Sequence, residues 1–244
     1  MPEVAPEYLE AWNTKPVLRT VYDDFYQRIV AACAPGLTIE VGGGIGNVKQ
    51  RLPQVVSTDI QFGSRLDCVA DAQRLPFGAD VATNIVMVDV LHHIEFPPLF
   101  FREAARVLRP GGRIVMVEPA ITWGSTIFYR LLHHEPVRTR ADPLVEGNPD
   151  PNRDPYYSNQ AIPTLLATRA RARFHRLFPE LVISRVDWFA FAAYPLSGGF
   201  KPWSLISDRV ARSLLRAERT LEPIVGRLAG FRMMLMVEKR RSSS

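Results

Sequence analysis

The sequence predicts an α/β fold: a doubly wound, mostly parallel sheet with helices on both faces and an antiparallel C-terminal strand. Three features carry that expectation. From Leu37 onward, short apolar runs alternate with helical patterns, which favours parallel strands joined by crossover helices. A glycine cluster follows the first run at once, at the end of the strand where such a sheet opens its ligand crevice. The 244 residues are 47% hydrophobic and 23% charged, enough apolar content for a sizeable core.

The elements follow in order. Val17, Val21, Phe25, Ile29 and Val30 recur at helical spacing, and Pro35-Gly36 closes that first helical section. Strands are expected at 37–41, 54–59, 67–70 and 82–88. Phe101, Ala104, Ala105 and Leu108 mark a helix over 100–108, which Arg109-Pro110-Gly111-Gly112 stops before a fifth strand over 113–118. A helix over 122–134 leads into a proline-rich connection, 135–163, too long to be a plain loop in a compact domain. Strands over 181–191 and 231–238 close the sheet as a hairpin-like edge pair, with an amphipathic helix over 204–217 between them. The reading is of one domain, 1–244. Its parts are a helical cover (1–36), a ligand-binding core (37–118), an inserted lid or substrate segment (119–180), and edge strands with a helix (181–244).

Several classes are excluded. The net charge of +5 is modest for this length and speaks to solvation before fold. Cys33 and Cys68 are the only cysteines, so a disulfide framework is out. No apolar run of spanning length occurs, and the first residues lack a charged-then-apolar leader pattern, so a cytoplasmic location is expected.

Ile39-Glu40-Val41-Gly42-Gly43-Gly44-Ile45-Gly46-Asn47 is the most informative stretch. Glycines at a strand exit let the backbone bend sharply and approach a ligand closely. The dinucleotide pattern G-x-G-x-x-G would need a third glycine at position 47 or 49, where Asn47 and Lys49 stand, so a nicotinamide cofactor is disfavoured. No Gly-Lys-Ser/Thr follows, so the nucleotide-phosphate loop fails too.

The cluster resembles the acidic-x-Gly-x-Gly-x-Gly motif of class I S-adenosylmethionine-dependent methyltransferases, matched by Glu40, Gly42, Gly44 and Gly46. Asp59 at the end of the second strand, the Asp71–Phe77 segment, Leu91-His92-His93-Ile94 and Arg106–Gly112 are similar to later motifs of that family, in order, across residues 37–118. The resemblance implies a Rossmann-like sheet and S-adenosylmethionine as cofactor. It assigns Asp59 and Ile60 to the ribose side, Asp71 and Ala72 to adenine, and Glu40, Val88 and Asp89 to the methionine portion. A carboxylate suits a ribose because charged acceptors make strong hydrogen bonds.

His92 or His93 is the candidate general base, needed only where the acceptor must lose a proton. His133, Tyr156 and Tyr157 are candidates for the acceptor pocket. The His133-His134 pair has no companion ligands at metal spacing, so no metal is expected. Arg169, Arg173 and Arg176 are expected to share one solvated helix face. The Asn/Asp-Pro-Pro-aromatic pattern of base methylation is replaced by Asp89-Val90-Leu91-His92, which puts a small-molecule acceptor ahead of nucleic acid. An RNA or protein methyltransferase, or a non-catalytic binding subunit, are the competing readings.

Overall fold

A computed structural model of the chain describes residues 6–132 and 136–241. Two helices open it, α1 (Pro6–Thr14) and α2 (Pro16–Ala32), each begun by a proline, whose missing N–H costs nothing in a first turn. The strands are β1 (Thr38–Val41), β2 (Val56–Asp59), β3 (Cys68–Val69), β4 (Ala82–Val88), β5 (Leu108–Pro119), β6 (Leu181–Phe189) and β7 (Arg232–Lys239). The remaining helices are α3 (Pro97–Val107), α4 (Trp123–Leu132), α5 (Ile162–Ala167), α6 (Arg171–Leu177), α7 (Ala193–Ser197) and α8 (Asp208–Ala229).

The seven strands form one sheet in the order β3-β2-β1-β4-β5-β7-β6. β1 to β5 pair in parallel, and β7 alone runs the other way, between β5 and β6. The expected edge pair is therefore present but is no hairpin, since α7 and α8 intervene between β6 and β7. β5 also begins earlier than expected. Leu108 pairs with Ala82 and Arg113 with Asn84, so the Arg109–Gly112 turn is carried as an irregularity within the strand.

Alternation along the central strands divides the core into two layers. Ile85, Met87, Ile114 and Met116 face Phe100, Phe101 and Phe174 on one side, while Val86, Val115 and Val117 face Leu18, Phe25 and Ile29 on the other. Both faces are covered, which is why β1 and β4 read as almost unbroken buried runs. The one amide in β4 is satisfied: Asn84 accepts from the Ala34 N–H and donates to the Ala34 carbonyl and Thr38 Oγ1.

The arginine run is exposed as expected, but it does not form one helix face. Arg169 lies in the turn between α5 and α6, not on a shared helix face. It donates to the Ala141 carbonyl, while Arg173 donates to Asp142 and the Leu144 carbonyl. These side chains pin the long connection, whose backbone carbonyls lack strand or helix partners. No helix among the described residues is long and apolar enough to cross a membrane.

Phe101 is fully buried, its ring centroid 4.9 Å from that of Phe174 and 5.8 Å from that of Phe178. Phe101→Ala is expected to destabilise the protein by about 3–5 kcal/mol, read from denaturant midpoints at unchanged slope.

Candidate functional site

The chain winds outward through β1, β2 and β3 in one direction and through β4 and β5 in the other, so the switch point lies between β1 and β4. The glycine loop leaves β1 at that point. Gly42 sits at φ 69°, and a Cβ there would fall 2.2 Å from Val90 Cγ2, so only glycine lets the β1 and β4 exits meet. Gly44, at φ 52°, is different: nothing lies within 4 Å of where its Cβ would be. Its backbone faces open space, a cradle that a side chain would fill. Gly46 turns back at φ 69° and donates to the Gly43 carbonyl at 2.7 Å.

Asp59, the last residue of β2, accepts the Gly44 N–H at 2.9 Å on one oxygen and the Gln61 N–H at 2.9 Å on the other. Each oxygen keeps a lone pair for a further donor. Burial raises the Asp59 pKa, and those N–H groups oppose the rise. Ile60 beside it exposes its side chain. Asp71 follows β3 and accepts the Gln73 N–H at 2.8 Å on Oδ1, while its other oxygen receives no bond from the described residues. The loop from Ala72, itself buried, is fixed by α3: Glu103 accepts the Leu75 N–H, and Arg106 donates to the Phe77 and Leu75 carbonyls.

Glu40 is buried beneath the glycine loop and accepts from Ser57 Oγ. Burial lifts its pKa to about 7, with the Ser57 hydroxyl opposing and the Asp59 charge adding to the rise.

Val88 ends β4 half-buried, and Asp89 follows in the left-handed region at φ 59°. Its carboxylate is held by Arg232 at the start of β7, and it accepts the Tyr22 hydroxyl at 3.1 Å. Arg232 also reaches the Tyr194 hydroxyl and lies 4.2 Å from that ring's centroid. Asp89 is thus tied to β7, α2 and α7.

His92 is buried, and its Nδ1 lies 2.7 Å from Glu118 Oε2. Glu118, fully buried near the end of β5, also accepts the Val90 and Leu91 N–H groups at 2.9 and 2.7 Å. Burial alone would raise its pKa, but His92 and the two N–H groups outweigh that and hold it below the usual range. An ionised carboxylate only accepts, so Nδ1 of His92 carries the proton in this bond. His93 is half-buried, its ring centroid 4.2 Å from that of His92.

Tyr156 and Tyr157 part company. Tyr156 joins Tyr8, which in turn packs on Phe200 over Tyr22. Tyr157 instead faces the guanidinium groups of Arg138 and Arg153 at 5.6 and 4.9 Å. His133 lies outside the described residues. Sequence reasoning passed over Glu118, Arg232 and Tyr22. The available signal was a lone charge at the tip of an apolar strand, Glu118 after Ile114–Val117 and Arg232 before Met233–Val237, since a buried charge needs a partner.

The strand order, with one antiparallel strand inserted beside β5, gives a Rossmann-like fold of the kind seen in methyltransferases. Residues 39–116 match the family model described as a methyltransferase domain. Similar solved structures include an S-adenosylmethionine-dependent methyltransferase of Thermotoga maritima, at 14% identity over 92% of each chain with a TM-score of 0.55. A chain of the complex between the Haloferax volcanii Trm112 methyltransferase activator and a methyltransferase gives 15% over 99% of each chain and 0.50. One from Archaeoglobus fulgidus gives 12% over 91% of this chain and 94% of that one, with 0.51. At these identities the likeness is one of fold. No curated protein matches the chain.

Glu40→Gln checks the electrostatics of this site. The unfolded chain ionises Glu40 near its ordinary pKa of 4.5, whereas the folded chain holds the proton to about 7. Stability of the parent should therefore fall by about 3 kcal/mol more than that of the variant as pH rises between those values, measured by denaturation at each pH.

Proposed function

We propose that the chain transfers a methyl group from S-adenosylmethionine to a small-molecule acceptor. The observation that carries this is Gly44: its backbone is fixed on Asp59 while the space beside its Cα stays open. The donor set suits the cofactor, which is cationic, carries no phosphate and meets acids at three strand ends. When bound, it supplies a methyl group already activated on a sulfonium sulfur.

In this reading Gly42, Gly44 and Gly46 shape the cradle, and Asp59 with Ile60 holds the ribose. Asp71 and Ala72 take the adenine, and Val88 borders the methionine portion. Glu40 acts from below: a cation above it favours its ionised form. Asp89 is assigned to the methionine side through its hold on the β4 exit, since Arg232 and Tyr22 already engage both oxygens. His92, oriented by Glu118, takes the proton where the acceptor has one to lose, with His93 beside it. The cover formed by α1 and α2, with Tyr8, Tyr22, Phe200 and Tyr156, bounds the acceptor side and excludes water. Residues 37–118 then serve as the cofactor core, with 119–180 and the C-terminal elements completing the acceptor pocket. The internal use of Arg169 and Arg173 weighs against a polyanion on that run, and hence against an RNA acceptor.

Calorimetry with S-adenosylmethionine and S-adenosylhomocysteine, followed by radiolabelled methyl transfer into a metabolite panel, tests the reading. Heat with neither compound overturns it. Asp59→Ala should weaken cofactor binding by about 1–3 kcal/mol, the cost of unmet polar groups. For an acceptor that loses a proton, His92→Ala should slow turnover by about 100-fold or more at unchanged cofactor affinity.

A further inference from the structure

We propose that the outer face of α8, with the first turns of α4, docks on the surface of an anionic phospholipid membrane. α8 is apolar on two sides. Ala211, Leu215 and Gly226 are buried against the fold. On the opposite side Val210, Leu221, Ile224 and Leu228 form a second stripe at helical spacing, with Ile224 74% and Leu228 60% exposed. Trp123 and Ile127, one turn apart on α4, are 84% and 64% exposed. The two helices touch where a Cβ on Gly124 would come 3.0 Å from Ala229 Cα, so Trp123 and Leu228 each stand one residue from that contact. Exposed apolar surface of this kind marks an interaction site.

Charge selects the occupant. Arg209, Arg216 and Arg227 run beside the stripe at i, i+7 and i+18, exposed and with no carboxylate partner among the described residues. The acids of α8 are all engaged: Asp208 with Arg212 and Thr20, Glu218 with the Ala192 and Ala193 N–H groups, Glu222 with Arg28. The outer face is thus apolar and cationic. A bilayer surface offers negative charge with an apolar layer directly beneath it, so the stripe can enter the acyl boundary while the arginine stems reach phosphates. Tryptophan favours that depth. RNA would offer the charge without the apolar layer, and a second copy would set arginine against arginine.

The patch also stands at the carboxyl end of the parallel strands. β7 leaves α8 with Arg232 opposite Pro119, and Thr122 Oγ1 donates to the Gly230 carbonyl at 3.1 Å, so Trp123 and Leu228 border the end that carries Asp89 and His92. Docking there would bring an amphiphilic acceptor to the crevice. That consequence rests on the methyl-transfer reading; the docking does not.

Cosedimentation of the full chain with vesicles of phosphatidylcholine, alone or mixed with phosphatidylglycerol, tests the proposal. The chain should pellet with the mixed vesicles and release them as salt rises. Ile224→Asp and Leu228→Asp should each weaken this by on the order of tenfold, and Arg216→Glu with Arg227→Glu should abolish the preference for phosphatidylglycerol. All variants should keep the parent's far-ultraviolet spectrum and melting temperature. Absence of vesicle binding overturns the proposal. So does a dimer in sedimentation velocity that Ile224→Asp disperses without vesicle binding, or capture of RNA in place of vesicles. Failure of S-adenosylmethionine binding with vesicle binding intact would sink the functional reading and leave this one standing.

Discussion

The carboxyl end of the parallel strands depends on one fully buried carboxylate, Glu118. Parallel strands end with N–H groups that the exit turns must hand to some acceptor, and burial makes each unmet donor costly. Glu118 takes the Val90 and Leu91 N–H groups and the His92 ring together. It binds the β5 tip to the turn after β4, and everything beyond hangs from that turn. The His92 carbonyl accepts the Asn159 N–H, and Asn159 in turn accepts the Arg138 N–H, so both ends of the long connection are anchored to it.

Other acids repeat the device around the same rim. Asp59 gathers the Gly44 and Gln61 N–H groups, Glu103 the Leu75 N–H, and Glu218 those of Ala192 and Ala193. A carboxylate with several N–H donors carries its charge into the interior at tolerable cost, because those bonds replace water. The loops around the crevice are therefore set by side chains on neighbouring elements. Asp89 and Arg232 extend the pattern to a charge pair, which joins β4 to the antiparallel β7.

The strands of the core were legible because alternating faces leave a period in the sequence: Ile85 and Met87 against Val86, Ile114 and Met116 against Val115. The glycine loop was legible because φ above zero and the contact with Val90 admit no other residue at Gly42. Glu118 and Arg232 stood in plain view as strand-end charges, yet their partners are 26 and 143 positions away, and no local pattern names a partner at that distance. Arg169 and Arg173 are exposed, as helical spacing suggested, but Arg169 lies outside the helix, and both reach groups of a segment without periodicity, which no local pattern could name.

By itself the sequence determined the alternation of strands and helices, the glycine turn, and the acids at the tips of β2 and β3, since each follows from neighbours a few positions apart. Tertiary structure alone decided the insertion of β7 between β5 and β6, the pairing of buried charges, and the second apolar stripe of α8. Those outcomes depend on which distant surfaces meet, and on which are left without a partner once the core has closed.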